Sequence, residues 1–168
     1  KGLISTAKKF NTELSIVNTV IKSNYKRIFL LTNKVDKIIK KNVKNKKIVF
    51  LGVTFKPNTD DMRDSTSLYM IPYLSKKGAK IVYYDPSGRK KAFSKIKNCN
   101  YSGNIRDACY KADLIILHTE WDEFKSIDLK RLVRNKKFKI FDLRNLYNFN
   151  EMKKKGISYY SIGRPQIT

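Results

Sequence analysis

The sequence is poor in cysteine, histidine, tryptophan and proline: two, one, one and four among 168 residues. Each scarcity closes off a class of chemistry. Cys99 and Cys109 lie in Asn98-Cys99-Asn100 and Ala108-Cys109-Tyr110, with no C-x-x-C spacing. With a single histidine beside them, no zinc-ligand set is at hand and no metal is expected. Two free thiols fit a reducing cytoplasm. No stretch reaches about eighteen apolar residues, so no membrane span is predicted. The opening Lys1 to Lys9 has no apolar leader core, and the first residue is not Met, which reads as a fragment or a processed form. G-x-G-x-x-G is missing, so a standard dinucleotide turn is not expected. No pair of carboxylates, activated nucleophile or metal cluster emerges, and His118 has no Ser or Cys partner in a recognisable pattern.

Acidic residues are scarce too: 14 against 37 basic ones, a formal charge of +23. A charge of that size suits polyanions, which bind through counterion release. The excess is mostly lysine, spread through every segment amid much Ile, Asn, Tyr and Phe. A solvated basic surface is therefore the plainer reading, and no specific nucleic-acid partner is expected. A bound nucleotide sugar would also welcome the field.

A hydrophobic fraction of 41% supports a packed core. From about Ser5 to Lys41 apolar residues recur at three- and four-residue steps, including Leu14, Val17, Val20, Ile21, Ile28, Leu31, Val35 and Ile38. This predicts a short helix, a turn at Asn11-Thr12 with either residue as a cap, then a long amphipathic helix whose apolar stripe needs a cover. A second copy of the chain is the simplest one. The polar run Lys40 to Lys47 marks a boundary, giving residues 1–45 and 46–168 as the two parts.

Beyond it, strands and helices alternate. Strands are expected at Lys47 to Gly52, Lys80 to Tyr84, Asp113 to His118 and Lys139 to Asp142, with weaker segments at Cys99 to Ser102 and Ile157 to Ile162. Helices are expected at Ser65 to Lys77, Lys90 to Ile96, Ile105 to Ala112, Leu129 to Arg134 and Asn150 to Lys155. Near-continuous apolar runs such as Ile48-Val49-Phe50-Leu51 and Leu114-Ile115-Ile116-Leu117 are what strands covered on both faces require. The fold class is α/β: a Rossmann-like parallel sheet of roughly four to six strands flanked by helices, preceded by a long helix.

Ligands bind such sheets beyond the carboxyl ends of the strands. The loop Gly52 to Ser65 leaves the first strand and carries Lys56 and Arg63. Lys56 could hold a phosphate or be an exposed loop lysine. Arg63, among Asp60, Asp61 and Asp64, could meet a ligand or close a structural ion pair. Ser65 reads as the N-cap of the next helix. Asp85 sits where a Rossmann protein keeps its ribose-binding acid, and equally where Asp-Pro starts a turn. Arg144, past the Phe141 strand, could pair with phosphate or stack on a base, with Asp142 orienting it, or the two could simply close a turn. Trp121 and Phe124 read as core anchors of their loop.

Five ordered blocks carry a resemblance: Leu51 to Ser65, Tyr84-Asp85-Pro86, Thr119 to Phe124, Phe141-Asp142-Leu143-Arg144-Asn145 and Tyr160 to Pro165. Together they resemble the carboxyl-terminal portion of the UDP-glucose 6-dehydrogenase family, within the wider UDP-glucose/GDP-mannose dehydrogenases. The resemblance implies a central dimerisation helix over Leu14 to Lys41, with Ser23-Asn24 in its Val/Met-Asn block, and a UDP-sugar domain from Lys46. It implies two NAD-dependent oxidations of UDP-glucose to UDP-glucuronate, through a thiohemiacetal and a thioester on a catalytic cysteine. Phe55, Lys56 and Arg144 match substrate-binding positions, and Arg63 matches the arginine that reaches NAD. Leu143 stands where the family pattern has glycine. Neither cysteine has the context of the catalytic one, so no catalytic residue is assigned here. This portion alone is expected to bind UDP-glucose and form a homodimer through the long helix without turning over. UDP-N-acetylmannosamine and GDP-mannose dehydrogenases share the architecture and are the alternatives.

Overall fold

A computed structural model describes residues 2–40, 42–135 and 137–167. The predicted helix limit at Lys41 lies outside them. The chain divides into two compact units, residues 1–34 and 35–168.

The first unit holds α1 (Gly2–Lys9) and most of α2 (Ser15–Ile38). Asn11 is not a cap for α2. It adopts the left-handed region at φ 50 and ends α1, with Thr12 N–H donating to Ala7 O at 2.9 Å. No residue of α1 is buried, and Phe10 and Ile16 are 75% and 80% exposed. Val20, Tyr25, Phe29 and Leu30 extend the exposed apolar face.

The second unit begins with the last turn of α2, where Val35 and Ile38 are buried. Asp36 Oδ2 accepts from Tyr73 Oη at 3.0 Å and pairs with Lys77 Nζ at 2.5 Å. Lys139 Nζ caps the carbonyl of Ile38 at 2.5 Å. Six parallel strands follow: β1 (Lys47–Leu51), β2 (Lys80–Tyr84), β3 (Cys99–Tyr101), β4 (Leu114–Leu117), β5 (Lys139–Asp142) and β6 (Ser158–Ser161), in spatial order β3-β2-β1-β4-β5-β6. Between them lie α3 (Ser67–Lys76), α4 (Ile105–Cys109), α5 (Leu129–Val133) and α6 (Phe149–Lys154).

The order puts β1 and β4 at the centre, in register Ile48↔Leu114 to Leu51↔Leu117. All eight of those residues are fully buried. Strand side chains alternate between faces, so Val49, Leu51, Ile115, Leu117 and Ile140 enter one core with Phe124, Val133 and Tyr159. Each of these side chains contributes about 1.5–3 kcal/mol through removal from water. The helix expected at Lys90 to Ile96 is a single 3-10 turn at Lys91–Phe93, because Phe93 packs edge-on against Tyr83 at 5.2 Å and fixes the chain there. The weak segment at Cys99 is a true edge strand. Leu143 needs no glycine-like conformation: it is buried, and the left-handed residue of that turn is Asn145 at φ 55. No helix among the described residues is long and apolar enough to cross a membrane.

Candidate functional site

Strand order reverses between β1 and β4, which makes their carboxyl ends the switch point where this topology receives ligands. Gly52 leaves β1 at φ 74, and a Cβ there would lie 2.6 Å from Thr119 Cβ. Only glycine allows the two strand exits to approach so closely. Thr119 Oγ1 then donates to Thr54 O at 2.7 Å, and Gly52 N–H donates to Tyr84 O at 2.8 Å. The exits of β1, β2 and β4 are thereby stitched together.

Asp85, at the end of β2, is completely buried. Its Oδ2 accepts from Val53 N at 2.7 Å and Thr54 N at 3.3 Å, and its Oδ1 accepts from Ser87 N at 3.0 Å and from the Ser87 hydroxyl. Lys90 Nζ, itself buried, supplies the counter-charge 3.7 Å from Oδ1. Of the two sequence readings of Asp85, the structure shows the structural one.

The far end of the long loop is also tied in. The Ser65 and Ser67 hydroxyls converge on Val53 O at 2.7 and 2.6 Å. Ser65 meets Ser67 N only at 3.4 Å, so it anchors the loop to the β1 exit more than it caps α3. Thr66 precedes α3 and turns its hydroxyl to His118 Nε2 at 2.8 Å, while His118 Nδ1 lies 3.0 Å from Thr119 Oγ1. The Thr119 proton is committed to Thr54 O, so Thr119 accepts from Nδ1–H and Nε2 accepts from Thr66. This fixes one neutral tautomer. Burial first, and the nearby Arg144 charge second, push the His118 pKa down to about 3. His118 is no acid–base catalyst at neutral pH.

Arg144 gathers three loops. Its Nε donates to His118 O at 2.8 Å and pairs with Glu120 Oε2 at 2.9 Å, and Nη2 donates to Phe55 O at 3.2 Å. Asp142 holds the turn by accepting from Arg144 N at 2.9 Å, while its Oδ2 takes Tyr147 N and Tyr159 Oη at 3.1 and 2.7 Å. Asp142 therefore orients the backbone, and Glu120 supplies the counter-charge of the guanidinium. Phe55 is half exposed, and its N–H donates to Asp61 O at 2.9 Å, closing the loop on itself. Lys56 is exposed beside it, its carbonyl accepting from Thr54 Oγ1 at 3.1 Å. Arg63 lies with its side chain 88% exposed, gripped two-pronged by Asp61 at 3.0 Å from Nε and 2.7 Å from Nη2. That bond holds the Asp61 carboxyl down to about 2.

Phe55, Lys56 and Arg144 are thus brought to one edge of the sheet, and Arg63 is presented from the loop that Phe55 closes. Sequence reading places Thr119 and Glu120 at the exit of the Leu114 strand without a role for either, and misses Thr54 and Thr66. A run of hydroxyl residues on both sides of two strand ends was the available signal. Burial pushes the Cys99 and Cys109 thiols up to about 12, the opposite of the lowered range of an activated cysteine. Among the described residues the arrangement offers the cationic side chains of Lys56 and Arg144 to an anion and no group poised for proton transfer.

The chain is similar to known proteins along most of its length. Over 165 residues the chain is 37% identical to a UDP-glucose 6-dehydrogenase of Rhizobium meliloti (strain 1021), covering 98% of this chain and 38% of that protein. It is 33% identical over 165 residues to the UDP-glucose 6-dehydrogenase of Rickettsia felis, covering 96% of this chain and 37% of the relative. The chain therefore spans little more than a third of the length of these relatives. The fold is shared with the NDP-N-acetyl-D-galactosaminuronic acid dehydrogenase of Methanosarcina mazei Go1, at a TM-score of 0.78, 23% identity and coverage of 96% of this chain and 36% of that one. Residues 49–149 match the UDP binding domain of the UDP-glucose/GDP-mannose dehydrogenase family, and the chain belongs to that family.

Proposed function

We propose that residues 46–168 bind the UDP-sugar of a UDP-glucose 6-dehydrogenase, an enzyme that takes UDP-glucose to UDP-glucuronate with two NAD, and that residues 1–45 dimerise it. The observation that carries this reading is the meeting of Phe55 O and Arg144 Nη2 at the switch-point edge, with Lys56 beside them. Lys56 and Arg144 supply the charge a pyrophosphate needs, and Phe55 supplies an apolar surface against the ligand. NAD supplies the hydride acceptor. Its dinucleotide does not fit a site of its own here, because the acid at the β2 end is consumed by Val53 and Thr54. Arg63, exposed and held by Asp61, is the group that fits its phosphates from outside. The two free thiols suit the reducing cytoplasm in which we place this enzyme, with its product a precursor for polysaccharide synthesis.

Calorimetry with UDP tests the site. Lys56→Ala and Arg144→Ala are each expected to weaken binding by about 10- to 100-fold, the worth of a charge-assisted hydrogen bond. A chain that ignores UDP but binds duplex DNA with a steep salt dependence would replace this reading with a polyanion-binding one. NADH production by the full-length protein should be greatest with UDP-glucose. Faster turnover of UDP-N-acetylmannosamine or GDP-mannose would reassign the substrate. The exposed stripe from Ile16 to Leu30 predicts self-association. Sedimentation at rising concentration should show a dimer that Phe29→Glu dissociates, and a strictly monomeric profile would contradict it.

A further inference from the structure

We propose that Asp85 is a positioning residue for the nucleotide: it fixes the segment Val53–Lys56 and acts on the ligand only through that segment. This inference rests on the UDP reading above. In a sheet of order 3-2-1-4-5-6, the acid at the end of the second strand normally grips a ribose hydroxyl. An ionised carboxylate offers about four lone-pair sites. Here Oδ2 faces Val53 N, Thr54 N and, at 3.5 Å, Thr54 Oγ1. Oδ1 faces Ser87 N, the Ser87 hydroxyl and Lys90 Nζ. The group is full, and at 0% exposure it is out of a ligand's reach.

What it holds immediately precedes the residues assigned to the ligand. The amides of Val53 and Thr54 point to Asp85, while Thr54 O is held from the β4 side by Thr119 Oγ1. The Thr54 hydroxyl reaches on to Lys56 O. The chain is therefore clamped on both sides one residue before Phe55, and the direction in which Lys56 leaves the sheet follows from that clamp. Lys90 makes the clamp tolerable inside the protein. A buried carboxylate without a counter-ion is strongly unfavourable, and Nζ also anchors to Ser87 Oγ at 2.6 Å.

The test uses Asp85→Asn, with Ser87→Ala as a milder variant that keeps the carboxylate, and two readouts on the 168-residue chain. In amide hydrogen exchange, Val53 and Thr54 should exchange about tenfold or more faster in Asp85→Asn, while Val49 and Ile115 stay protected. Ser87→Ala should show a smaller change at the same two amides. In UDP calorimetry, Asp85→Asn should lose about tenfold in affinity, and this loss should shrink to about threefold or less in a Lys56→Ala background. The penalty for 2′-deoxyuridine diphosphate relative to UDP should be equal in wild type and Asp85→Asn. Unchanged exchange at Val53 and Thr54 overturns the clamp whatever UDP does. Full additivity with Lys56→Ala overturns action through Lys56, and a deoxy penalty that vanishes in Asp85→Asn restores the ribose contact. A wild-type chain silent to UDP overturns the UDP reading and the ligand arm with it, while the exchange arm still decides the clamp.

Discussion

Between pH 6.5 and pH 4.5 the folded state should lose about 1.4 kcal/mol per pH unit through one histidine. His118 is the only histidine in the chain, so the effect can be assigned to it. Unfolded, the ring titrates near its ordinary value of 6.5; folded, burial first and then Arg144 hold it down to about 3. Between those values the unfolded chain binds a proton that the folded chain refuses, so stability rises with pH. The contribution is fully present above about pH 6.5 and is lost as pH falls through the window. Protonation would also reverse the bond to Thr66, since Nε2–H must then donate to the Thr66 oxygen and the hydroxyl proton must turn to another acceptor. His118→Gln should be less stable at pH 7, because it disturbs the bonds to Thr66 and Thr119, and should show a flatter slope between pH 6.5 and 4.5. Urea denaturation at several pH values measures both. Equal slopes in wild type and variant would mean that the ring is not buried neutral.

Gly52→Ala should cost about 3 kcal/mol, combining a left-handed conformation of about 1–2 kcal/mol with overpacking of about 1–3 kcal/mol. For a chain of this size that corresponds to a melting temperature lower by about 10 °C. The backbone is at φ 74, and the new methyl would sit 2.6 Å from Thr119 Cβ and 3.0 Å from Thr119 N. The backbone nitrogen cannot swing aside as a long side chain could, so the exits of β1 and β4 must part. UDP affinity should fall with the melting temperature, since Thr119 Oγ1 would leave Thr54 O. Gly103→Ala is the control: nothing lies within 4 Å of its Cβ position and its φ is not left-handed. A Gly52→Ala protein that melts with wild type would show that the strand exits can relax.

The strands were legible because parallel strands covered on both faces must be apolar throughout. Lys47–Leu51, Lys80–Tyr84, Leu114–Leu117 and Lys139–Asp142 all stand where such runs occur. Short elements were less legible. Cys99–Tyr101 gains its strand character from pairing with Ile81 to Tyr83, and the turn at Lys91–Phe93 is set by the Tyr83 ring, both contacts made at a distance along the chain. Residue type marks Asn11 or Thr12, and Ser65, as caps. Asn11 instead takes the left-handed end of α1, and Ser65 turns its hydroxyl to a carbonyl twelve residues back.

By itself the sequence determined the α/β class, the long amphipathic helix, the loop carrying Phe55, Lys56 and Arg63, and the strand end carrying Arg144, because periodicity and strand ends are local properties. Only the tertiary structure decided which polar groups are already occupied. It turned Asp85 inward to Val53 and Thr54, fixed one tautomer of His118 between two threonines, and spread Arg144 across Phe55 O, His118 O and Glu120. The physical reason is that a hydrogen bond is decided by what burial leaves within about 3 Å, and residues such as Phe55 and Arg144, 89 positions apart, become neighbours only when the sheet has formed.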